Sequence, residues 1–220
     1  MPHNHLQYEA IEHHLRQFTR TPVYFAAGRL TESDSCYEQE RQVMQYSLSK
    51  RKREFYSGRH LARIALRRAG ISSTCVPRGP LGNPIWPDSI VGSITHDRTH
   101  GAAVVGFDSE LKGLGLDLIE DPDQVTEDLI NLIMFPDEQT LLRSLYPDLS
   151  PVSVAFSVKE SVVKASSALV GRYMDLLDIR LDCTSQGLNA RVNGLPCDLP
   201  CMVLQTQVGL VTSSFYPRTD

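Results

Sequence analysis

The spacing of apolar residues predicts an α+β fold, with helices and strands mixed along the whole chain. Three observations carry this. Residues 50–69 and 152–169 each hold a helical apolar stripe, and from residue 179 onward short apolar stretches alternate with turns.

Taken in order, the first 30 or so residues are polar and include His3, His5, His13 and His14. They lack acidic or cysteine partners at ligand spacing, so this segment reads as solvated and partly disordered. From Ser35 to Gly70 the pattern is helical. Ser49 is placed to cap a helix over Lys50–Ala69, and Gly70 to stop it. Phe55, Ala62, Ala65, Leu66 and Ala69 form the buried stripe, and the rest of the surface is strongly basic. The stretch 76–87 carries too much Pro and Gly for helix or strand. Residues 90–95 and 102–107 read as two short strands, and 114–119 as a third with a single charge, Asp117. Helical pattern returns over 125–135 and 137–145, then over 152–169, introduced by Ser150-Pro151 and closed by Gly171. Residues 179–183, 188–192, 203–208 and 210–215 read as an antiparallel meander. Each half holds helices and strands, which suggests two similar lobes divided as 1–112 and 113–220, without a clear internal repeat.

At 220 residues, with 41% apolar and 22% charged residues, the chain is long enough for a genuine core. A formal charge of −4 argues against a nucleic-acid binder. The five cysteines form no CxxC pair, so neither a disulfide framework nor a zinc site is expected. With no signal-like start and no long apolar run, the expectation is a cytoplasmic monomer with no membrane association.

Three segments carry candidate chemistry. Asp117 sits inside an apolar strand with Glu120 at its end; a buried carboxylate needs a cation or hydrogen bonds, and both carboxylates suit a hard cation such as Mg²⁺, with Mn²⁺ as an alternative. In 156–165, Glu160 and Lys164 share a helix face and Lys159 is adjacent; alone, such a pair reads as a surface ion pair. In 92–96, His96 lies near Ser93 and Thr95 without a nucleophile elbow, which fits a donor to an anion better than a hydrolytic triad. Together, Asp117 and Glu160 would hold the metal, while Arg51, Arg59, Arg78, His96, Lys159 and Lys164 would hold a polyphosphate.

The segments 50–66, 79–87, 92–96, 113–118 and 156–165, in this order, resemble the Sfp-type 4′-phosphopantetheinyl transferases, in particular the siderophore-synthetase (enterobactin synthetase component D-like) branch. The resemblance implies two α+β lobes related by pseudo-two-fold symmetry, with coenzyme A and Mg²⁺ between them. It implies transfer of phosphopantetheine to a serine of an acyl or peptidyl carrier protein, with release of 3′,5′-ADP. Asp117 and Glu160 match the metal ligands, Glu160 also as general base. Lys164 matches the lysine at the diphosphate and His96 the histidine at the 3′-phosphate. Arg51, Arg59 and Arg78 match the basic positions at the nucleotide phosphates, with Ser93, Thr95 and Lys159 lining the pocket. The family's Asp-x-Glu metal motif is broken here by Ile119, leaving Glu120 one residue out of register. A metal-dependent phosphoesterase acting on a nucleotide or coenzyme A, and a non-catalytic coenzyme-binding module, are the rival readings.

Overall fold

The computed structural model describes residues 3–218 except Ser73 and Thr126, without the side chains of residues 3–6, Gln124 and Glu127. The α+β expectation is met by two antiparallel sheets and six α-helices among the described residues.

The N-terminal segment overturns one expectation. It forms α1, His3–Thr19, followed by strand β1, Val23–Arg29. The polar, histidine-rich composition masks a helical stripe of Tyr8, Ile11, Leu15 and Phe18, in which Ile11 and Leu15 are 2% and 0% exposed. His13 and His14 face solvent, the side chains of His3 and His5 lie outside the described residues, and no group of three metal-ligating side chains forms among those described.

A short helix α2, Glu38–Met44, leads into α3, Ser49–Arg68. Ser49 is the first residue of α3 rather than its cap; Leu48 holds the cap position and offers no side-chain acceptor. Gly70, with a φ of 80°, ends the helix as expected. The first sheet orders β1 beside β3, His100–Phe107, which pairs in turn with β2, Ile90–His96. Ala62, Ala65 and Leu66 of α3 pack on this sheet against Ala103 and Val105.

Strand β4, Leu111–Ile119, opens the second sheet, and its chain then runs into 3₁₀ turns at Pro122–Gln124 and Glu127–Leu129. Of the helix expected over 125–135, only α4, Ile130–Ile133, forms. Pro136 forces the preceding residue to be extended, and Phe135 sits at φ −89° and ψ 155°. Helix α5, Pro136–Leu145, and α6, Pro151–Val170, follow, with Gly171 closing α6 in a left-handed conformation.

The meander consists of β5, Ile179–Thr184; β6, Gly187–Val192; β7, Leu199–Thr206; and β8, Gly209–Pro217. β7 begins four residues earlier than the apolar alternation indicates, because Leu199 and Pro200 already pair with Ala190 and Asn189. The five-stranded order is β4-β8-β7-β6-β5. One cluster joins the two sheets: Ile11 and Leu15 of α1 meet Phe25 and Val104 of the first sheet and Leu116, Leu118 and Val211 of the second.

Helix α6 lies against β4 at the closest range a backbone allows. A Cβ at Gly115 would fall inside the carbonyl of Ser161, and one at Gly113 inside the carbonyl of Ala165. The Gly115→Ala variant is therefore expected to lose about 1–3 kcal/mol of stability in urea unfolding, as forced overpacking does. Gly106→Ala, where the nearest atom is a Val23 methyl at 3.4 Å, should be nearly silent and serves as control.

Candidate functional site

A cavity of about 440 Å³ opens where the ends of β2 and β4 meet α6. It is lined by Thr95 and His96 of β2, Asp117 of β4, and Glu160 and Lys164 of α6, with Asp97, Arg98 and Asp121 on the adjoining turns.

Asp117 is 6% exposed, and both of its carboxylate oxygens are engaged. Oδ1 accepts from Lys164 Nζ at 2.6 Å and from Thr95 Oγ1 at 3.1 Å, and Oδ2 accepts from Ser157 Oγ at 2.8 Å. Lys164 Nζ also donates to Thr95 Oγ1 at 3.3 Å. Ser157 is held in turn by Thr212, Asp117's partner across β8, with the two hydroxyl oxygens 2.9 Å apart. Alternation along β4 sends Leu114, Leu116 and Leu118 into the core shared with the first sheet and Asp117 to the other face, so the single charge in the run 114–119 is delivered to the cavity.

Glu160 stands one helical turn before Lys164. Burial pushes its carboxyl above the usual carboxylate range; Lys164 opposes this and the charge of Asp117 adds to it. Asp117 and Glu160 thus share one ammonium, Lys164, and the adjoining turns add Asp97 and Asp121 against Arg98, a balance that favours a further cation.

A second cluster of cations sits at the α3 side. Gly58 lets α3 approach β2 closely, since a Cβ there would come within 2.8 Å of Ile94. Arg51 Nη1 lies 3.1 Å from His96 Nε2 and 3.2 Å from Glu54 Oε2. Burial lowers the pKa of His96, with Arg51 and Lys164 acting in the same sense and Glu54 and Asp117 against it. Arg59 is 6% exposed, stacks over Phe55 at 4.1 Å and donates through Nε to Val76 O. Its Nη2 is buried with no hydrogen-bond partner. Burial, opposed by Glu40 and reinforced by Arg51, Arg63 and Arg78, lowers the Arg59 pKa to about 10. Arg78 is exposed on the turn-rich stretch and bridges to Pro84. An unused buried guanidinium donor among other arginines is a ready acceptor site for an anion.

Three expected site residues stand elsewhere. Lys159, expected to line the pocket, is fully buried on another face of α6 and pairs with Glu138 Oε2 at 2.8 Å. Glu138 also accepts from Leu181 N and Phe135 N, so this ion pair anchors α6 to β5 and to the start of α5. Glu120 turns to the β2–β3 connection, where it accepts from Thr99 N at 2.7 Å, Thr99 Oγ1 at 2.6 Å and His100 N at 2.6 Å. Burial resists its ionisation, but these bonds outweigh burial and hold its pKa below the usual value. Ser93 Oγ reaches Leu116 O at 3.4 Å, tying β2 to β4, and its residue lines a neighbouring 220 Å³ pocket that shares Lys164 with the main cavity. Ser157, Thr212 and Glu54 were not singled out from the sequence. Glu54 carried a usable signal, an acidic residue one turn beyond Arg51 in a basic run; the two hydroxyls carried none.

Two family models match the chain in succession: the 4′-phosphopantetheinyl transferase N-terminal domain over residues 39–106, and the 4′-phosphopantetheinyl transferase superfamily over 113–198. The chain is 32% identical over 156 residues to the 4′-phosphopantetheinyl transferase PptT of Mycobacterium tuberculosis, covering 70% of this chain and 68% of that protein.

The chain belongs to the 4′-phosphopantetheinyl transferase family.

Other members lie at similar distance. Enterobactin synthase component D of Escherichia coli is 35% identical over 66% of this chain and 68% of its own length. The transferase Npt of Nocardia iowensis is 31% identical, and the match spans 60% of its length. The family's two models meet between residues 106 and 113, in the turn that joins the first sheet to β4. No described helix of this transferase is long and apolar enough to cross a membrane.

Glu160 yields a test of the site's electrostatics. A folded-state pKa above the unfolded value means the folded protein binds more protons in the interval between them. Stability contributed by this group is therefore lost as pH rises through that interval. In metal-free buffer at neutral pH, Glu160→Gln is expected to raise the melting temperature, and the gain should vanish in acid below the usual carboxylate range. A lower melting temperature at neutral pH would contradict the charge balance described.

Proposed function

We propose that the chain transfers the 4′-phosphopantetheine arm of coenzyme A to a serine of an acyl or peptidyl carrier protein and releases 3′,5′-ADP. One observation carries the reading: Asp117, Glu160 and Lys164 converge in a cavity that His96 also lines, and His96 meets Arg51. The resemblance to enterobactin synthase component D favours carrier domains of siderophore or secondary-metabolite synthesis.

In this reading residues 1–112 grip the nucleotide and 113–220 supply the reacting groups. Arg51, Arg59, Arg78 and His96 bind the nucleotide phosphates, Arg59 through the Nη2 that has no protein partner. Lys164 moves from Asp117 to the diphosphate, and Thr95 and Ser93 line its path. Asp117 and Glu160 suit Mg²⁺ or Mn²⁺: both are hard oxygen donors, and since no group of three metal-ligating side chains forms among the described residues, the remaining positions would fall to water and phosphate oxygens. The bound ion would supply Lewis acidity at the diphosphate. Glu120, already committed to Thr99 and His100, is left out of that set.

The serine oxygen forms a bond to the β-phosphorus as the bond from that phosphorus to the bridging oxygen breaks. Glu160 takes the serine proton, directly or through a water, and a carboxyl held above its usual range accepts it readily near neutral pH. Lys164 faces the charge that collects on the departing oxygen.

Intact-protein mass spectrometry of an apo carrier protein with coenzyme A and Mg²⁺ tests the reaction. The carrier should gain one phosphopantetheine group, and EDTA should abolish the gain. Glu160→Ala should slow transfer by about 10²–10⁴-fold, the usual range for loss of a general base. Near-normal turnover by that variant would remove Glu160 from the role, and breakdown of coenzyme A without acceptor modification would favour a phosphoesterase.

A further inference from the structure

The transfer scheme leaves one carboxylate beside His96 without a task. Glu54 sits on α3 one turn after Arg51, with its side chain 12% exposed. Its Oε2 accepts from Arg51 Nη1 at 3.2 Å and lies 4.0 Å from His96 Nε2. Its Oε1 lies 3.9 Å from Lys50 Nζ. The same Arg51 nitrogen stands 3.1 Å from His96 Nε2. Three groups from α3 and the end of β2 therefore meet at one point.

A guanidinium has only donors, so His96 Nε2 accepts here, and the imidazole is neutral with its proton on Nδ1. The charges that face the ring are Arg51 and Glu54 from α3, Asp117 from β4 and Lys164 from α6. Burial and the two cations keep the proton off, and the two carboxylates work the other way. A phosphate monoester entering this corner changes the balance. Once Arg51 turns to its oxygens, Nε2 is left with a lone pair aimed at an anion. A proton on Nε2 converts that repulsion into a charge-assisted hydrogen bond, and Glu54 stands close enough to offset the new charge.

We propose that Glu54 is a positioning residue, which holds Arg51 and His96 together in the ligand-free protein and becomes the counter-charge of a His96 imidazolium when a phosphate monoester engages Arg51. Nucleotide binding then takes up a proton at His96 from solvent, and affinity falls as pH rises, because the complex binds more protons than the free protein. This rests on the reading that Arg51 and His96 meet a nucleotide phosphate.

Calorimetric titration with 3′,5′-ADP, in two buffers of different ionisation enthalpy near pH 7.5, counts the protons exchanged. The wild-type protein should take up part of one proton. His96→Asn should still bind but lose that uptake, which separates the imidazole from the phosphate's own ionisation near pH ~6. Glu54→Gln should take up fewer protons and bind about tenfold more weakly, the equivalent of one pH unit at one group. Glu54→Asp should recover most of the uptake, and serves with His96→Asn if Glu54→Gln does not fold. Normal affinity with no uptake in the wild type, or uptake unchanged by the loss of Glu54's charge, would overturn the inference alone. Absence of 3′,5′-ADP binding by the wild type would overturn the nucleotide reading and this inference with it.

Discussion

The carboxylate of Asp117 is the constraint around which the site is built. A buried charge costs several kcal/mol unless compensated, and its partners here come from three elements: Thr95 from β2, Lys164 from α6 and, through Ser157, Thr212 of β8. Satisfying one side chain thus fixes the separation of the two sheets and the rotation of α6. Glu160 inherits its position from that rotation. The cavity is assembled before any ligand arrives, because the bonds that shape it are internal to the protein.

Most of this was legible in the sequence, for identifiable reasons. Asp117 stood out because a lone charge in a strand-length apolar run has few explanations other than a function or an ion pair. Helical spacing put Glu160 and Lys164 on one face, but alone it indicated a surface ion pair; their role came from the neighbouring segments and the family resemblance. Lys159 was misplaced because adjacent helix residues point about 100° apart, and which of them meets the core depends on a partner, Glu138, that spacing does not reveal. Glu120 lies one step beyond a strand that ends at Ile119, so its direction is set by the turn it caps rather than by the pleat. Helix α1 is obscured by composition: its stripe at 8, 11, 15 and 18 is regular, but polar residues and histidines dominate the segment around it.

Helix α3 shows how one basic run is divided between structure and binding. Arg63 is buried and donates through Nη1 to both carboxylate oxygens of Glu40, at 2.8 and 3.0 Å. Arg59, one turn earlier and equally buried, keeps a donor with no partner. Two residues alike in type and burial therefore differ in what remains to be satisfied. That difference separates an arginine whose guanidinium is paired with a carboxylate from one that keeps a buried donor unpaired, and no periodicity in the sequence encodes it.

The close seat of α6 on β4 has a consequence for motion. With Gly113 and Gly115 bringing strand and helix backbones together, neither sliding nor rotation of α6 is available without a clash, and the buried Lys159–Glu138 pair resists rotation as well. Helix and strand behave as a single rigid body. The groups on the opposite wall are of another kind, since Arg51 is about half exposed and Arg78 stands on an irregular loop. The wall built from β4 and α6 is thus fixed by backbone contact, and the carboxylates of Asp117 and Glu160 keep their alignment through it.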